Sequence, residues 1–280
     1  MQNKRNFLEL LPDLENQTLL VSKPDDPARS RAGVVVEPLF FAAIGQDTKA
    51  GSTFVLGGQE AKHAVSVRRM VAGESISVSD GVEIQIRGTV SKVHKDNLEI
   101  SVESVEALTP PSIQLVLVQA LAKGDRDELA IQACTELGVF GVIPWQSDRS
   151  ISIWKAEKKQ KGQQRWQTIV TEAAKQSLRP LVPVVAEVLD SQELVESLRS
   201  FDQVLVLVPE SPSSITQLQL PLTGKIAIVV GPEGGMSEQE LATFAKADFS
   251  LVHLGTGVLR TSTAGMAAVS YLQAKQGDWN

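Results

Sequence analysis

The chain holds one cysteine and three histidines in 280 residues. A single cysteine forms no internal disulfide, so Cys134 reads as a packed thiol on an amphipathic helix, in a protein suited to a reducing cytoplasm. His63, His94 and His253 lie far apart, and no Cys/His pair has zinc spacing, so no metal is expected. No apolar run reaches the length of a membrane span and no signal peptide is evident, so no membrane is expected as a partner. Positive charge is also short. The formal net charge is −6, the wrong sign for a wholesale nucleic-acid binder. Internal repeats and low-complexity segments are absent.

What is present is ordinary for a globular protein: 42% hydrophobic and 21% charged residues, and length enough for two domains with real cores. Residues 1–36 carry Pro12, Pro24, Pro27 and five charges of each sign, which reads as an N-terminal extension, a tail or loosely docked segment. An overextended gene start is the alternative, with Val34, Val35 and Val36 at its end. From about residue 52 to 108 the pattern has period two. Ile76 and Val78 alternate with serines, Asp80-Gly81 signals a hairpin, and Val82, Ile84, Ile86 and then Leu98, Ile100, Val102 alternate again. Short strands at this spacing suggest a small barrel. Pro110-Pro111 reads as a linker.

Beyond the prolines the rhythm changes. Ile113–Ala120, Val142–Trp145, Val184–Val188, Val204–Val208 and Ile226–Val230 read as buried strands, most of them separated by helical stretches such as Asp125–Leu137, which Gly138 caps. That alternation predicts a parallel sheet covered on both faces.

Two stretches near the C-terminus say most. Val229-Val230-Gly231-Pro232-Glu233-Gly234-Gly235-Met236-Ser237 and Leu254-Gly255-Thr256-Gly257-Val258-Leu259-Arg260-Thr261-Ser262-Thr263-Ala264-Gly265 are apolar runs that stop at glycines and restart as helices. Ser237 with Glu240 forms a capping box, and Thr261 to Thr263 offer caps for the last helix. Two glycine loops feeding helix N-termini place backbone N–H groups around one small-molecule site.

The wording of these loops resembles the C-terminal signatures of the RsmE family, bacterial methyltransferases of the SPOUT class that use S-adenosylmethionine to methylate N3 of a uridine in 16S ribosomal RNA. Upstream, Pro38-Leu39-Phe40-Phe41 and His63-Ala64-Val65-Ser66-Val67-Arg68-Arg69-Met70 resemble the family's N-terminal RNA-binding domain. Gln119 to Glu128 and Glu172-Ala173-Ala174-Lys175-Gln176-Ser177 resemble parts of its catalytic domain. The resemblance implies an α/β fold. A SPOUT-type knotted parallel-sheet domain, residues 109–280, follows a PUA-like RNA-binding β-barrel, residues 37–108. It also implies a homodimer, with 16S rRNA or the 30S subunit as partner. Two departures stand out: many relatives have Pro at the position of Thr256, and Gly-Arg where Leu178-Arg179 stands.

By resemblance, Val208, Pro209, Gly231, Glu233, Gly234, Gly235, Leu254, Gly255, Val258 and Leu259 hold S-adenosylmethionine. Glycine suits a site where adenine and methionine approach the backbone. The methyl donor is a sulfonium, already activated. Uridine N3 carries a proton at neutral pH, so transfer needs that proton removed or the anion stabilised. Arg260 is the candidate for stabilising the uracil anion; pairing with a carboxylate to hold its loop is the other reading. Glu233 is the candidate base, or a carboxylate that merely stabilises a helix N-terminus.

By the same resemblance, RNA contact is expected at His63, Arg68 and Arg69, a basic group that otherwise reads as a solvated helix, and at Lys123, Lys175, Gln176 and Arg179. The segment Arg149–Arg179 carries eight basic residues against two acidic ones, which reads either as an RNA-facing surface or as a solvated helix face. Trp154 and Trp166 within it stack on bases or sit in the core. Two other functions compete. A nucleotide-dependent oxidoreductase would use Gly255-Thr256-Gly257 as its phosphate loop, but that loop lies too near the C-terminus for the strand and acidic residue that follow such loops. A non-catalytic RNA-binding protein would leave both glycine loops without a purpose.

Overall fold

The computed structural model describes residues 37–276 and residue 279. The expectations for residues 1–36 lie outside the described residues. The chain divides into two compact units between Pro110 and Pro111.

In the first unit the strands are β1 (Leu39–Phe41), β2 (Thr53–Leu56), β3 (Ser75–Ser79), β4 (Ile84–Val93) and β5 (Leu98–Ala107). They form one sheet in the order β1-β3-β4-β5-β2, with β1 parallel to β3 and the other neighbours antiparallel. Asp80 makes the hairpin: its Oδ1 accepts the N–H groups of Val82, Glu83 and Ile84, while Gly81 takes a φ of +83°. Val82 is thrown outward into solvent by this turn, so the strand begins at Ile84. Register shifts at Arg87/Gly88 and Val90/Lys92 bend the long β4–β5 pair. Phe40 and Leu56, from the two edge strands, sit in the same apolar cluster, so the sheet curls around its core. No ladder joins the two edges among the described residues. A short helix, α1 (Gly58–Lys62), runs on into a π-type turn, His63–Val67.

The second unit is a seven-stranded sheet in the order β12-β10-β11-β6-β7-β8, with β9 also on β7, and every pairing is parallel. Its strands are β6 (Ile113–Ala120), β7 (Gly141–Gln146), β8 (Val184–Val185), β9 (Leu189–Asp190), β10 (Gln203–Leu207), β11 (Gly224–Val230) and β12 (Ser250–Val252). The helices are α2 (Arg126–Glu136), α3 (Glu157–Gln176), α4 (Ser191–Leu198), α5 (Glu238–Lys246) and α6 (Thr261–Gln276). All eight residues of β6 are buried, as befits a strand covered on both faces. On one face Leu115 and Leu117 join Ile131 of α2, Trp166 and Val170 of α3, and Val269 and Leu272 of α6. On the other, Trp145 meets Phe244 of α5 edge to face, 5.6 Å between centroids. Each such large apolar side chain stabilises the fold by about 1.5–3 kcal/mol. Cys134 is fully buried in this core, and burial pushes its thiol up to about 12.

Pro144 sits inside β7, where a missing N–H is costly. It falls between the two places where β7 is joined from outside, Gly141–Val142 by β8 and Trp145–Gln146 by β9. The strand expected over Val184–Val188 is confined to Val184–Val185, and β9 follows beyond it at Leu189–Asp190. Three helices end in the same way. After α2, α3 and α5 the chain turns through Gly138, Leu178 and Asp248 at positive φ, and the next N–H groups, of Val139, Arg179 and Phe249, return to Cys134, Ala174 and Phe244.

Candidate functional site

β10, β11 and β12 end side by side, and each releases a loop at its carboxyl end: Val208–Glu210, Gly231–Met236 and His253–Arg260. Between them lies a cavity of about 750 Å³. Its size falls within the range of small-molecule sites, and its position is where parallel sheets hold ligands. A second cavity, about 500 Å³, opens by Gln203 and Ser250 at the edge where the strands begin.

Local chemistry shapes the loop after β11. Ser237 caps α5: its Oγ accepts the Glu240 N–H, and Glu240 Oε2 accepts the Ser237 N–H at 2.7 Å, which closes the expected capping box. Gly235 turns at φ +70°, a conformation that strains other residues. A Cβ on Gly231 would stand 3.1 Å from Met236 Cγ, so a side chain there would crowd the loop. The cap of the last helix differs from expectation. The Arg260 carbonyl accepts the N–H groups of Thr263 and Ala264, so Arg260 itself closes the first turn of α6. Thr261 instead turns its hydroxyl onto the Gly231 carbonyl at 2.8 Å.

Of the residues expected to hold the methyl donor, Val208, Pro209, Gly231, Glu233, Gly234, Gly235, Leu254, Val258 and Leu259 line this cavity, together with Arg260. Gly255 does not line it; it turns beside it at φ +143°, its N–H donated to His253 Nδ1. The cavity also takes in Arg126 and Arg149, which were not anticipated as a pair because they come from the first residue of α2 and from the loop after β7.

Glu233 is engaged from two sides. Its Oε1 accepts the Lys123 N–H at 3.0 Å and the Arg126 Nη1 at 2.9 Å. Partial burial pushes its carboxyl up. Its own N–H, that of Lys123 and the Arg126 guanidinium outweigh this and hold it below the usual carboxylate range.

The chain matches a family model described as an RNA methyltransferase domain over residues 109–273, and an RNA methyltransferase PUA domain over 56–103. It is 35% identical to ribosomal RNA small subunit methyltransferase E of Mycobacterium bovis over 250 residues, covering 88% of this chain and 95% of that protein. The chain belongs to the ribosomal RNA small subunit methyltransferase E family. The Bacillus subtilis member is 33% identical over 239 residues, covering 82% of this chain and 93% of that protein. The crystal structure of the Neisseria gonorrhoeae member, bound to S-adenosyl methionine, superposes with a TM-score of 0.78 at 29% identity, covering 87% of this chain and all of that one. Membership carries the fold reading, a PUA-like domain followed by a parallel-sheet methyltransferase domain. It also disposes of the oxidoreductase reading: after Gly255 the chain enters α6, and no further strand follows among the described residues.

The residues expected to touch RNA in this family member belong to both units. Arg68 and Arg69 are exposed just after the π-type turn, and His63 meets Phe40 edge to face. Lys123 is exposed near the cavity. Lys175 corrects the expectation of a basic surface: its side chain is 6% exposed and pairs with Glu172 at 3.3 Å, because the last turns of α3 face inward. Arg179 packs part-buried at Gly138, and Gln176 is exposed nearby. Both lie where β7 begins, whereas the cavity lies where strands end. A 20-residue helix such as α3 separates its ends by about 30 Å. Arg165 is bound to Glu128. Trp166 is core, with Trp154 packed edge to face on it. The charge run is thus divided: Lys175 is buried and Arg165 is paired, while Lys155, Lys158, Lys159 and Lys161 stay exposed.

Among the described residues no group of three or more His, Cys, Asp or Glu side chains could hold a metal, and no helix is long and apolar enough to cross a membrane.

Proposed function

We propose that this protein transfers a methyl group from S-adenosylmethionine to N3 of a uridine in 16S ribosomal RNA. The observation that carries the reading is the cavity at the ends of β10, β11 and β12, in a chain of this family. The residues present fit the donor. Leu207, Val208, Val230, Leu254 and Leu259 offer apolar walls, and Gly231, Gly234 and Gly235 line the cavity without side chains to fill it. When bound, the donor supplies a methyl group activated on a sulfonium.

This chain's own residues must then place uridine N3 and help it lose its proton. Arg260 is exposed at the cavity wall, where its guanidinium suits an anion spread over the ring oxygens. Glu233, already held by Lys123 and Arg126 and with a lowered pKa, suits a strut between loops better than a base. Arg68, Arg69 and Lys123 are exposed cations suited to RNA phosphates. The same reading carries a trefoil knot in the loops, a homodimer, the 30S subunit as partner and work in the cytoplasm.

The test uses purified protein, S-adenosylmethionine, and 16S RNA or 30S particles from a strain lacking the modification. Nucleoside mass spectrometry should find N3-methyluridine. Methylation of another atom or nucleotide overturns the assignment, and sedimentation velocity tests the dimer.

A further inference from the structure

We propose that Arg149 is a second catalytic residue, whose guanidinium bears on the target uracil and stabilises the ring once N3 has lost its proton. The proposal rests on the function proposed above.

Three guanidiniums line the cavity, and their partners differ. Arg126 is neutralised by Glu233 at 2.9 Å. Arg260 and Arg149 make no ion pair among the described residues. Arg149 spends one donor, Nη1, on the Gly234 carbonyl at 3.1 Å. A guanidinium has five donors and that partner is neutral, so its charge stays uncompensated by that bond at the wall of the cavity.

The base on which Arg149 stands is fixed. The preceding residue, Asp148, gives its N–H to Glu240 Oε1 at 2.8 Å and accepts the Ser237 hydroxyl on Oδ2 at 2.7 Å. Glu240 is 2% exposed and also accepts the Ser191 hydroxyl. The loop after β7 is thus bolted to the capping box that shapes the glycine loop. A surface arginine with no task needs no such footing. A preorganised donor aimed at developing charge does, because it then loses little freedom as the reaction proceeds. The carboxylates near it are Asp148, engaged by Ser237, Glu233, engaged by Arg126, and Glu210 in the loop after β10.

The step is simple. The N3–H bond breaks, the proton passes to water, and the electron pair stays on the ring, shared by O2, N3 and O4. An Arg149 N–H donates to a ring oxygen and lowers the energy of that anion. The N3 electron pair then forms the bond to the methyl carbon as the donor's S–C bond breaks, that bond's electrons staying on sulfur as a neutral thioether, and the guanidinium is unchanged.

The competing account is that Arg149 only ties down Gly234. Arg149→Gln separates the two, since an amide N–H can replace the bond to the carbonyl but carries no charge. Arg149→Ala is the companion variant. Single-turnover methylation is compared on RNA carrying uridine or 5-fluorouridine at the target, the fluorine making N3 more acidic. Arg149→Gln should lose about 10²-fold on uridine. It should regain at least tenfold on 5-fluorouridine, where the wild type gains less. Its calorimetric affinity for S-adenosylmethionine should stay within a few-fold of wild type. An equal fluorine effect in both proteins, or a loss of donor affinity that matches the loss of rate, would overturn the proposal in favour of a loop tie. A wild type that forms no N3-methyluridine would overturn the underlying function instead.

Discussion

Gln119 and Thr261 stand 142 residues apart in the chain, and Gln119 Nε2 donates to Thr261 Oγ1 at 2.9 Å. Thr261 Oγ1 in turn donates a hydrogen bond to the Gly231 carbonyl at 2.8 Å. One hydroxyl thereby joins the end of β6, the first glycine loop and the start of α6. Gln119 is fully buried and Thr261 nearly so. A buried polar relay is costly unless satisfied, so its presence beside the cavity argues for positioning.

Thr261→Val keeps the shape and removes the hydroxyl. It should destabilise the protein by about 1–3 kcal/mol, because the Gly231 carbonyl loses its partner. It should also weaken donor binding. Urea denaturation and calorimetry read the two effects. A stability change within about 0.5 kcal/mol, with donor affinity intact, would remove the relay from the account of the site.

Leu178 sits at φ +57° in the turn that ends α3 and is 41% exposed. That conformation favours glycine. Leu178→Gly should therefore stabilise the protein by about 0.5–1 kcal/mol, the relief of strain exceeding the entropy that glycine adds to the unfolded chain. Leu178→Ala keeps the strain and should give no gain. An unchanged urea midpoint in the glycine variant would mean the turn is not strained.

These cases mark what a sequence can disclose. The capping box of Ser237 and Glu240 was legible because its partners are three residues apart. So was the parallel sheet, because each buried strand is its own apolar run. β12 was missed: its Ser250-Leu251-Val252 is too short to carry a period. Lys175 looked like surface because it is itself charged and belongs to a net basic segment, while its burial depends on which face α3 turns inward. Arg126 and Arg149 could not be paired with the glycine loops from sequence, since their contacts reach across 107 and 85 residues. Glycine loops announce a cavity; the cations that line it come from other strands.

Asp127 carries a pH dependence with a definite sign. Burial pushes its carboxyl from the ordinary 3.8 up to about 6, against the N–H groups of Ala122 and Glu128 that it accepts. A folded-state value above the unfolded one means that its contribution to stability is full below about 3.8 and is lost as the pH rises through 6. Asp127→Asn removes that loss. Relative to wild type, the variant should gain up to about 3 kcal/mol between pH 4 and pH 7, whatever its offset from the missing acceptor oxygen. Urea denaturation at several pH values measures the slope. A flat difference would show that Asp127 titrates normally.

Glu233→Gln tests the strut against the base. The amide oxygen still accepts the Lys123 N–H, but the pairing with Arg126 loses its charge. The variant should bind S-adenosylmethionine more weakly and lose less than about tenfold in turnover at saturating donor. Removal of a general base costs about 10²–10⁴-fold. A loss of that size with unchanged donor affinity would return the base to Glu233.

Arg260→Lys probes the other free cation of the cavity. Arg260 holds the first turn of α6 through its carbonyl, which the substitution leaves in place, so the variant should fold as wild type does. Lysine keeps the charge and loses the planar fork that can address a flat ring's oxygen. Donor and RNA affinity should change little, while turnover falls by about 10²-fold or more, the effect of removing one preorganised donor to a developing anion. N3-methyluridine formation under single-turnover conditions is the measurement. Near-normal turnover would demote Arg260 to closing the helix. If Arg149 and Arg260 share one anion, the double variant should lose less than the product of the single losses, since the second substitution acts on a site already impaired.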